Sequence, residues 1–179
     1  MRVAIVVACV YLMVSAGQAE AQYKSIDEMK IEKIGMDTSL KDFLKMYPKA
    51  ELMEKDNDEE YGVKTYVLVD PSGESFSAFS FLDNKLQLMF VQWTKKGLSD
   101  EGGREPIIKK IVLKYGKGEY RDESTAKNGK REVLVWATPE NVMSIHLDDK
   151  GLMVGNASIR MTKRLNELKA NKAKSKIDD

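Results

Sequence analysis

Three consecutive runs of alternating residues constrain the fold of this chain more than any other feature. Residues 63–69, 75–82 and 86–93 are rich in β-branched and aromatic side chains, as strands are. Asp70-Pro71-Ser72-Gly73 has proline and glycine where a β-turn favours them, and Asp83-Asn84 is typical of a short hairpin turn. The pattern predicts an antiparallel meander, which needs a second layer to cover one of its faces.

Two amphipathic segments predict helices for that second layer. Residues 39–47 repeat apolar side chains at intervals of three and four, can be capped by Thr38 or Ser39, and are followed by Pro48. Residues 105–115 show the same spacing, with Pro106 at the expected first helical position and Gly116 just past the end. Each helix therefore ends on a tyrosine followed by a residue that stops it.

The order of elements recurs in the second half of the chain. A basic loop with a turn at Asn128-Gly129 follows the second helix, and strands are predicted at residues 132–137, 142–147 and 152–161. We predict an α+β fold of two α-β-β-β units, with the helices on one face of the sheet. The predicted segments are 1–21 (signal peptide), 22–94 (first unit), 95–104 (glycine-rich linker), 105–161 (second unit) and 162–179 (basic C-terminal helix and tail).

A helix, a breaker and a meander, occurring twice, resemble the tandem repeat of the β-lactamase-inhibitor-like fold. That unit is shared with the outer-membrane assembly lipoproteins of the SmpA/OmlA type. The resemblance covers roughly residues 34–161, rests on the pattern, and includes Ile34-Gly35-Met36 as a lead-in to the first helix. The chain departs from the family because it lacks the inhibitor disulfides and a suitably placed lipidated cysteine. The resemblance implies an architecture and a tendency to bind proteins through the concave sheet or loops; it transfers no functional residue.

Residues 1–21 have the three parts of an export signal. Arg2 supplies the positive charge, an apolar run follows, and Ala19-Glu20-Ala21 fits the cleavage rule. We predict cleavage after Ala21, with Ala19 as second choice, and a periplasmic or secreted location. The run is shorter than the ~20 residues of a membrane span, which argues against an anchor. Cys9 is the only cysteine, so the exported chain must fold without disulfides.

Charge is balanced over the whole chain and uneven within it. The formal net charge of +1 gives no general case for nucleic-acid binding. Residues 51–60 hold six acids, but Tyr61 and Val67 occupy the glycine and glutamate positions of an EF-hand, so only a looser calcium contact stays open. Residues 160–179 hold seven bases. This basic C-terminal helix leaves a membrane or cell-wall surface-binding module as one alternative function.

The residue types give little basis for an enzyme. His146 is the only histidine, and neither Ser144 nor Ser80 lies in a nucleophile elbow that would complete a hydrolytic site with it. The sequence has no phosphate-binding loop and too few Cys and His residues for a zinc site, so we predict no cofactor and no metal. A small envelope hydrolase that uses His146 or a carboxylate pair is the second alternative.

Aromatic side chains in the predicted strands point instead to protein binding. Trp93 and Trp136 fall in comparable strands of the two halves, and Phe79 and Phe81 lie in the central strand of the first meander. Aromatic anchors on an exposed sheet face are typical hot spots of protein interfaces. We predict an exported, non-catalytic protein that binds another envelope or secreted protein as an adaptor, assembly factor or inhibitor, with these four residues in contact with the partner.

Overall fold

The computed structural model describes residues 23–53, 58–125, 129–148 and 151–175. The predicted signal peptide lies outside these residues. Within them the chain forms an eight-stranded antiparallel sheet, a separate two-stranded hairpin and four α-helices, which confirms the predicted α+β class. No helix in this part of the chain is long and apolar enough to cross a bilayer.

The elements, in chain order, are β1 (Lys30–Ile31), β2 (Ile34–Gly35), α1 (Leu40–Met46), β3 (Glu51–Leu52), β4 (Lys64–Val69), β5 (Ser75–Leu82), β6 (Lys85–Trp93), α2 (Lys95–Asp100), α3 (Arg104–Tyr115), β7 (Glu119–Thr125), β8 (Gly129–Ala137), β9 (Asn141–Asp148), β10 (Gly151–Ser158) and α4 (Ile159–Ser175). Short 3₁₀ turns precede β1 and β4. The strands of the large sheet follow the order β3-β4-β5-β6-β10-β9-β8-β7, so the last strands of the two halves pair at its centre.

The two predicted amphipathic helices form where their caps place them. Ser39 caps α1 by accepting a hydrogen bond from the Asp42 N–H at 3.1 Å. Helix α3 ends at Gly116, whose φ of +81° favours glycine and whose N–H donates to the Val112 carbonyl at 2.9 Å. Helix α3 begins at Arg104, so Pro106 is its third residue rather than its first.

Strand β7 was not predicted, because a basic loop was expected there. It pairs with β8 from Glu119 opposite Val135 to Thr125 opposite Gly129, so the second half has four strands after its helix. The predicted α-β-β-β unit is therefore not observed in that form. Strand β7 lies at the edge of the sheet and carries mostly polar side chains. Edge strands with charged residues resist pairing with other chains, and the same polarity hides them from hydrophobic patterning.

A short helix occupies most of the stretch predicted to be a linker. Thr94 caps α2 by accepting a hydrogen bond from the Gly97 N–H at 3.2 Å. A Cβ on Gly97 would lie 2.2 Å from the Glu74 carbonyl oxygen, so only glycine lets the helix approach the start of β5 so closely. Leu98 then packs into the core. The glycine that indicated a flexible linker in the sequence serves close packing here.

The core lies on one face of the sheet, under α1 and α3. Phe43 of α1 packs against Phe79 and Phe81 of β5, and Ile107 and Tyr115 of α3 belong to the same buried cluster. The C-terminal helix, which was predicted separately from the helices of the two units, packs elsewhere. The last helix, α4, buries Met161 and Leu165 against Val63 and Leu82 in a second, smaller cluster. Leu82 follows Phe81 along β5, so its side chain points to the opposite face.

Asp27 joins the first 3₁₀ turn to the connection between β8 and β9. Its Oδ1 accepts hydrogen bonds from Thr138 Oγ1 at 2.7 Å and Asn141 Nδ2 at 2.6 Å, and Ser25 Oγ donates to Oδ2 at 2.9 Å. Burial raises the pKa of Asp27, but these hydrogen bonds outweigh it and hold the pKa below its ordinary value of 3.8.

The pKa of Asp27 is lower in the folded state than in the unfolded chain, so its carboxylate stabilises the fold when the pH is above the ordinary pKa of 3.8. This stabilisation is lost as the pH falls through the lowered pKa. We expect the free energy of unfolding of Asp27→Asn to depend less on pH in this acid range than that of the parent. The change should be at most about 1 kcal/mol, since the carboxylate is exposed. Urea unfolding across the acid range measures it, with Glu28→Gln as the control. An unchanged limb in Asp27→Asn would contradict the prediction.

Candidate functional site

The two phenylalanines predicted to contact a partner are core residues. Phe79 and Phe81 are 0% and 1% exposed. Their rings lie 5.1 and 5.2 Å from the ring of Phe43 on α1, measured between centroids. Contact with a partner would require removing them from the core, so the partner-binding role is corrected to a packing role.

Trp136 is held in place by the fold and is 8% exposed. Its indole N–H donates to the Gly116 carbonyl at 3.0 Å. The ring lies over Gly118, where a Cβ would approach the six-membered ring to 2.8 Å. A buried indole with a satisfied N–H is a structural anchor for the end of α3. The prediction that Trp136 contacts a partner is therefore also corrected.

Trp93 is the one predicted aromatic residue that borders open space. It is half-buried, on the same face as the core, and it lines a cleft of about 480 Å³ between α3 and the sheet. Ile107 and Ile111 of α3 form the opposite wall of this cleft. The structure therefore separates Trp93 from Trp136, Phe79 and Phe81, because it alone has space in front of its side chain.

The other face of the sheet carries a second set of apolar side chains, which we call the open face. Alternation places these residues opposite the core, and each is half-buried. Within the described residues, none of them belongs to either hydrophobic cluster, although α4 packs on Val63 and Leu82 at one end of the same face. The open face consists of Val67 on β4, Phe76 on β5, Leu88 and Phe90 on β6, Val142 on β9 and Met153 on β10.

Strand register arranges the open face in rows across the sheet. One row contains Val67, Ala78, Phe90, Gly155 and Ser144 as successive partners from β4 to β9. The neighbouring row runs through Val69, Phe76, Gln92, Met153 and His146 by the same pairings. On β8, the next residues of the two rows are Val135 and Val133, and both are buried. The accessible part of the face therefore ends at β9.

Phe76 and Phe90 form the largest apolar feature of the open face. Their rings pack edge to face with centroids 5.9 Å apart. A Cβ on Gly155 would lie 3.3 Å from the Phe90 Cβ, so the lack of a side chain at Gly155 leaves space beside the Phe90 ring. Ala78 lies opposite Phe90 on the other side. The Phe90 ring therefore stands between two small residues, which leaves it accessible as an aromatic anchor.

Sequence reasoning missed this pair, although the signal was present. Along β5, Phe76 has the same parity as the small residues Ala78 and Ser80, whereas Phe79 and Phe81 share the other parity. The pair Phe79 and Phe81 marks the side that fills the core, because two large rings bury more apolar surface than Ala78 and Ser80 do. A phenylalanine among small residues on the opposite parity marks an aromatic side chain that the core does not use.

The histidine considered for hydrolysis lies on the open face. His146 Nε2 and Ser144 Oγ share a hydrogen bond of 3.0 Å. Residues two apart on a strand point to the same side, so strand geometry alone is enough to place these two groups in contact. Strand β9 is interior and pairs with both β8 and β10, so its backbone N–H groups serve the ladders rather than an oxyanion hole. Ser80 instead shares a hydrogen bond with Thr65 at 2.8 Å.

The basic C-terminal helix faces the acidic segment of the same chain. Lys169 forms an ion pair with Asp58, Lys172 forms one with Glu60, and both ammonium groups lie within 6 Å of the Tyr61 ring centroid. Residues 54–57 of the acidic run lie outside the described structure. In the remainder, no group of three or more His, Cys, Asp or Glu side chains is placed to hold a metal ion.

Comparison with known proteins assigns no family to this chain. No protein-family model matches it, and no curated protein does. Among solved structures it is similar to a cysteine-rich secretory protein from Staphylococcus aureus, with 12% identity and a TM-score of 0.41. The match covers 70% of this chain, which spans only 45% of that protein.

Proposed function

We propose that this chain is an exported, non-catalytic protein that binds another envelope or secreted protein through the open face of its sheet. The observation that carries the proposal is the edge-to-face pair of Phe76 and Phe90, which lies outside the cluster that α4 forms at one end of the same sheet face. Half-buried aromatic rings on such a face lose their remaining water when a partner covers them, which is a main source of binding energy.

The size of the open face also favours a protein partner over a small molecule. The rows cross five strands, from β4 to β9, at about 4.8 Å per step, so the face is about 19 Å wide. The row through Phe76 begins at Val69, which is 61% exposed at the outer end of β4. A broad, shallow, apolar face of this kind suits a macromolecular surface, whereas small ligands prefer enclosed pockets.

The proposal retains the tandem-repeat interpretation of the fold. Strands β6 and β10 pair at the centre of the sheet. From this pair, β5, β4 and β3 follow in order toward one edge, and β9, β8 and β7 follow in order toward the other. This symmetric order supports two related halves, each following one of the amphipathic helices α1 and α3. The open face then spans both halves, which agrees with the resemblance to proteins that bind partners on a concave sheet.

Site-specific photocrosslinking in the native envelope tests the proposal. One variant carries p-benzoyl-phenylalanine in place of Phe76, and the matched control carries it in place of Leu113, which is 70% exposed on the outer side of α3. We expect one dominant protein adduct from the first position, displaced by excess unmodified chain. Adding Phe90→Lys should weaken binding of that partner by ~2 kcal/mol, about thirtyfold, as for other hot-spot residues.

The test also has outcomes that reject the proposal. Equal adducts from both positions would indicate non-specific collision, and no adduct from position 76 would remove the open face as a docking surface. An adduct that is insensitive to Phe90→Lys would place the contact elsewhere, provided that the variant unfolds at the same urea concentration as the parent.

The hydrolase alternative is distinguished by Ser144→Ala, which removes the hydroxyl bound to His146 and leaves the strand intact. A serine nucleophile predicts loss of turnover, whereas a binding protein keeps its partner. In the surface-binding alternative, Lys169 and Lys172 are less available than the other bases of α4, because they already pair with Asp58 and Glu60. Vesicle or cell-wall sedimentation of a chain ending at Met161 measures whether α4 contributes to attachment.

A further inference from the structure

The cleft beside Trp93 is separate from the open face, because the sheet lies between them. Its apolar wall comes from both layers: Trp93 and Val91 on β6, Val154 on β10, Met143 on β9, and Ile107 and Ile111 on α3. The cleft is open to solvent on one side and has a volume of about 480 Å³, within the range of about 300–1,000 Å³ that is typical of small-molecule sites. Its polar groups distinguish it from a simple gap in the packing.

The rim of the cleft is positively charged. Lys30, Lys110 and Lys114 line it, against one carboxylate, Glu32. Lys110 already pairs with Glu101 at 3.2 Å, outside the cleft. Lys114 lies on the same face of α3 as Ile107 and Ile111, at helical spacing, and its ammonium group is 5.0 Å from the Tyr115 ring centroid. Positive charge at the mouth of an apolar cleft complements a single anionic head group.

Two hydroxyl groups add specificity at the base of the cleft. Ser75 and Ser77 lie on β5 opposite Trp93 and Val91, and Ser77 is 5% exposed. On the core-facing parity of this strand, serine stands where Phe79 and Phe81 fill the space farther along. The small serines leave the volume that larger side chains would occupy. The cleft therefore originates in the sequence of β5 and in the position of α3 above it.

We infer that this cleft binds a small amphiphile with an apolar body and one carboxylate, the apolar body lying against Trp93 and Ile111 and the carboxylate beside Lys114 and Lys30. The inference is independent of the proposed open-face interaction, since no residue is shared between the two sites.

Titration of the purified protein with decanoate, below its micelle concentration, tests the inference. We expect saturable binding at one site, seen by calorimetry and by a change in tryptophan emission that Trp93→Phe removes. Decanoate should bind about tenfold more tightly than decanol, because the carboxylate gains partly screened attraction from two lysines. Lys114→Gln should reduce this preference about fivefold, whereas Lys45→Gln in the last turn of α1 should not change it.

A second pair of variants tests the apolar wall. Ile111→Asp places a carboxylate in the cleft and should abolish decanoate binding, whereas Leu113→Asp places the same charge on the exposed side of α3 and should not. Equal affinity for decanoate and decanol would reject the charge argument. Absence of saturable binding at millimolar decanoate, or binding unaffected by both Ile111→Asp and Lys114→Gln, would reject the site, whatever the photocrosslinking shows.

Discussion

Replacing Phe43 with alanine is expected to lower the free energy of unfolding by about 3–5 kcal/mol. Phe43 is 0% exposed and is the main contact between α1 and the sheet. Its ring has four aromatic neighbours with centroids 5.1 to 5.6 Å away: Tyr47, Tyr66, Phe79 and Phe81. Alanine would leave a cavity among rings that cannot all move inward. The loss of stability therefore includes both the transfer free energy of the removed ring and the cost of the cavity.

Leu44→Ala on the same helix is the matched control, because Leu44 is 36% exposed. Its effect should stay below about 1 kcal/mol. Urea unfolding followed by circular dichroism measures both variants. Since domains of this size are stable by only about 5–15 kcal/mol, Phe43→Ala should leave a marginal fold. Similar losses for the two variants would show that α1 is not anchored through Phe43.

Replacing Asn156 with aspartate is expected to cost about 3 kcal/mol or more near pH 7. Asn156 is 0% exposed on β10, between Met89 and Met143 of the adjacent strands. Its Nδ2 donates to the Ile26 carbonyl at 2.9 Å, which fastens the first 3₁₀ turn to the centre of the sheet. Aspartate would remove this donor and place a negative charge against that carbonyl oxygen in a buried position.

The cost should depend on pH in a defined direction. Burial raises the pKa of a carboxyl group, so the folded variant would bind a proton more tightly than the unfolded chain. Its stability should therefore fall as the pH rises above the unfolded value of about 3.9, and recover on acidification. Asn156→Leu is the control, with a pH-independent loss of about 1–3 kcal/mol from the unpaired carbonyl. A loss for Asn156→Asp that does not change with pH would contradict a buried position.

Local signals predicted most elements of the fold. Helix α1 forms where serine caps it, α3 ends at the glycine, and strands β4, β5 and β6 match the three alternating runs. These features depend on neighbours a few residues apart, so a single sequence contains the necessary information. Strand β7 and helix α2 were missed because their residues are polar or rich in glycine. Pairing with β8, and the close approach of Gly97 to Glu74, are contacts between distant parts of the chain.

The sequence by itself determined the α+β class, the meander and the caps of the amphipathic helices, since turn geometry and side-chain periodicity act locally. Only the tertiary structure decided which aromatic residues remain accessible. Phe79, Phe81 and Trp136 are buried because α1 and α3 cover their face, while Phe76 and Phe90 lie on the opposite one. A strand's alternation defines two faces without stating which of them a helix will cover. That choice depends on contacts between residues far apart in the sequence, such as those of Phe43 with Phe79 and Phe81.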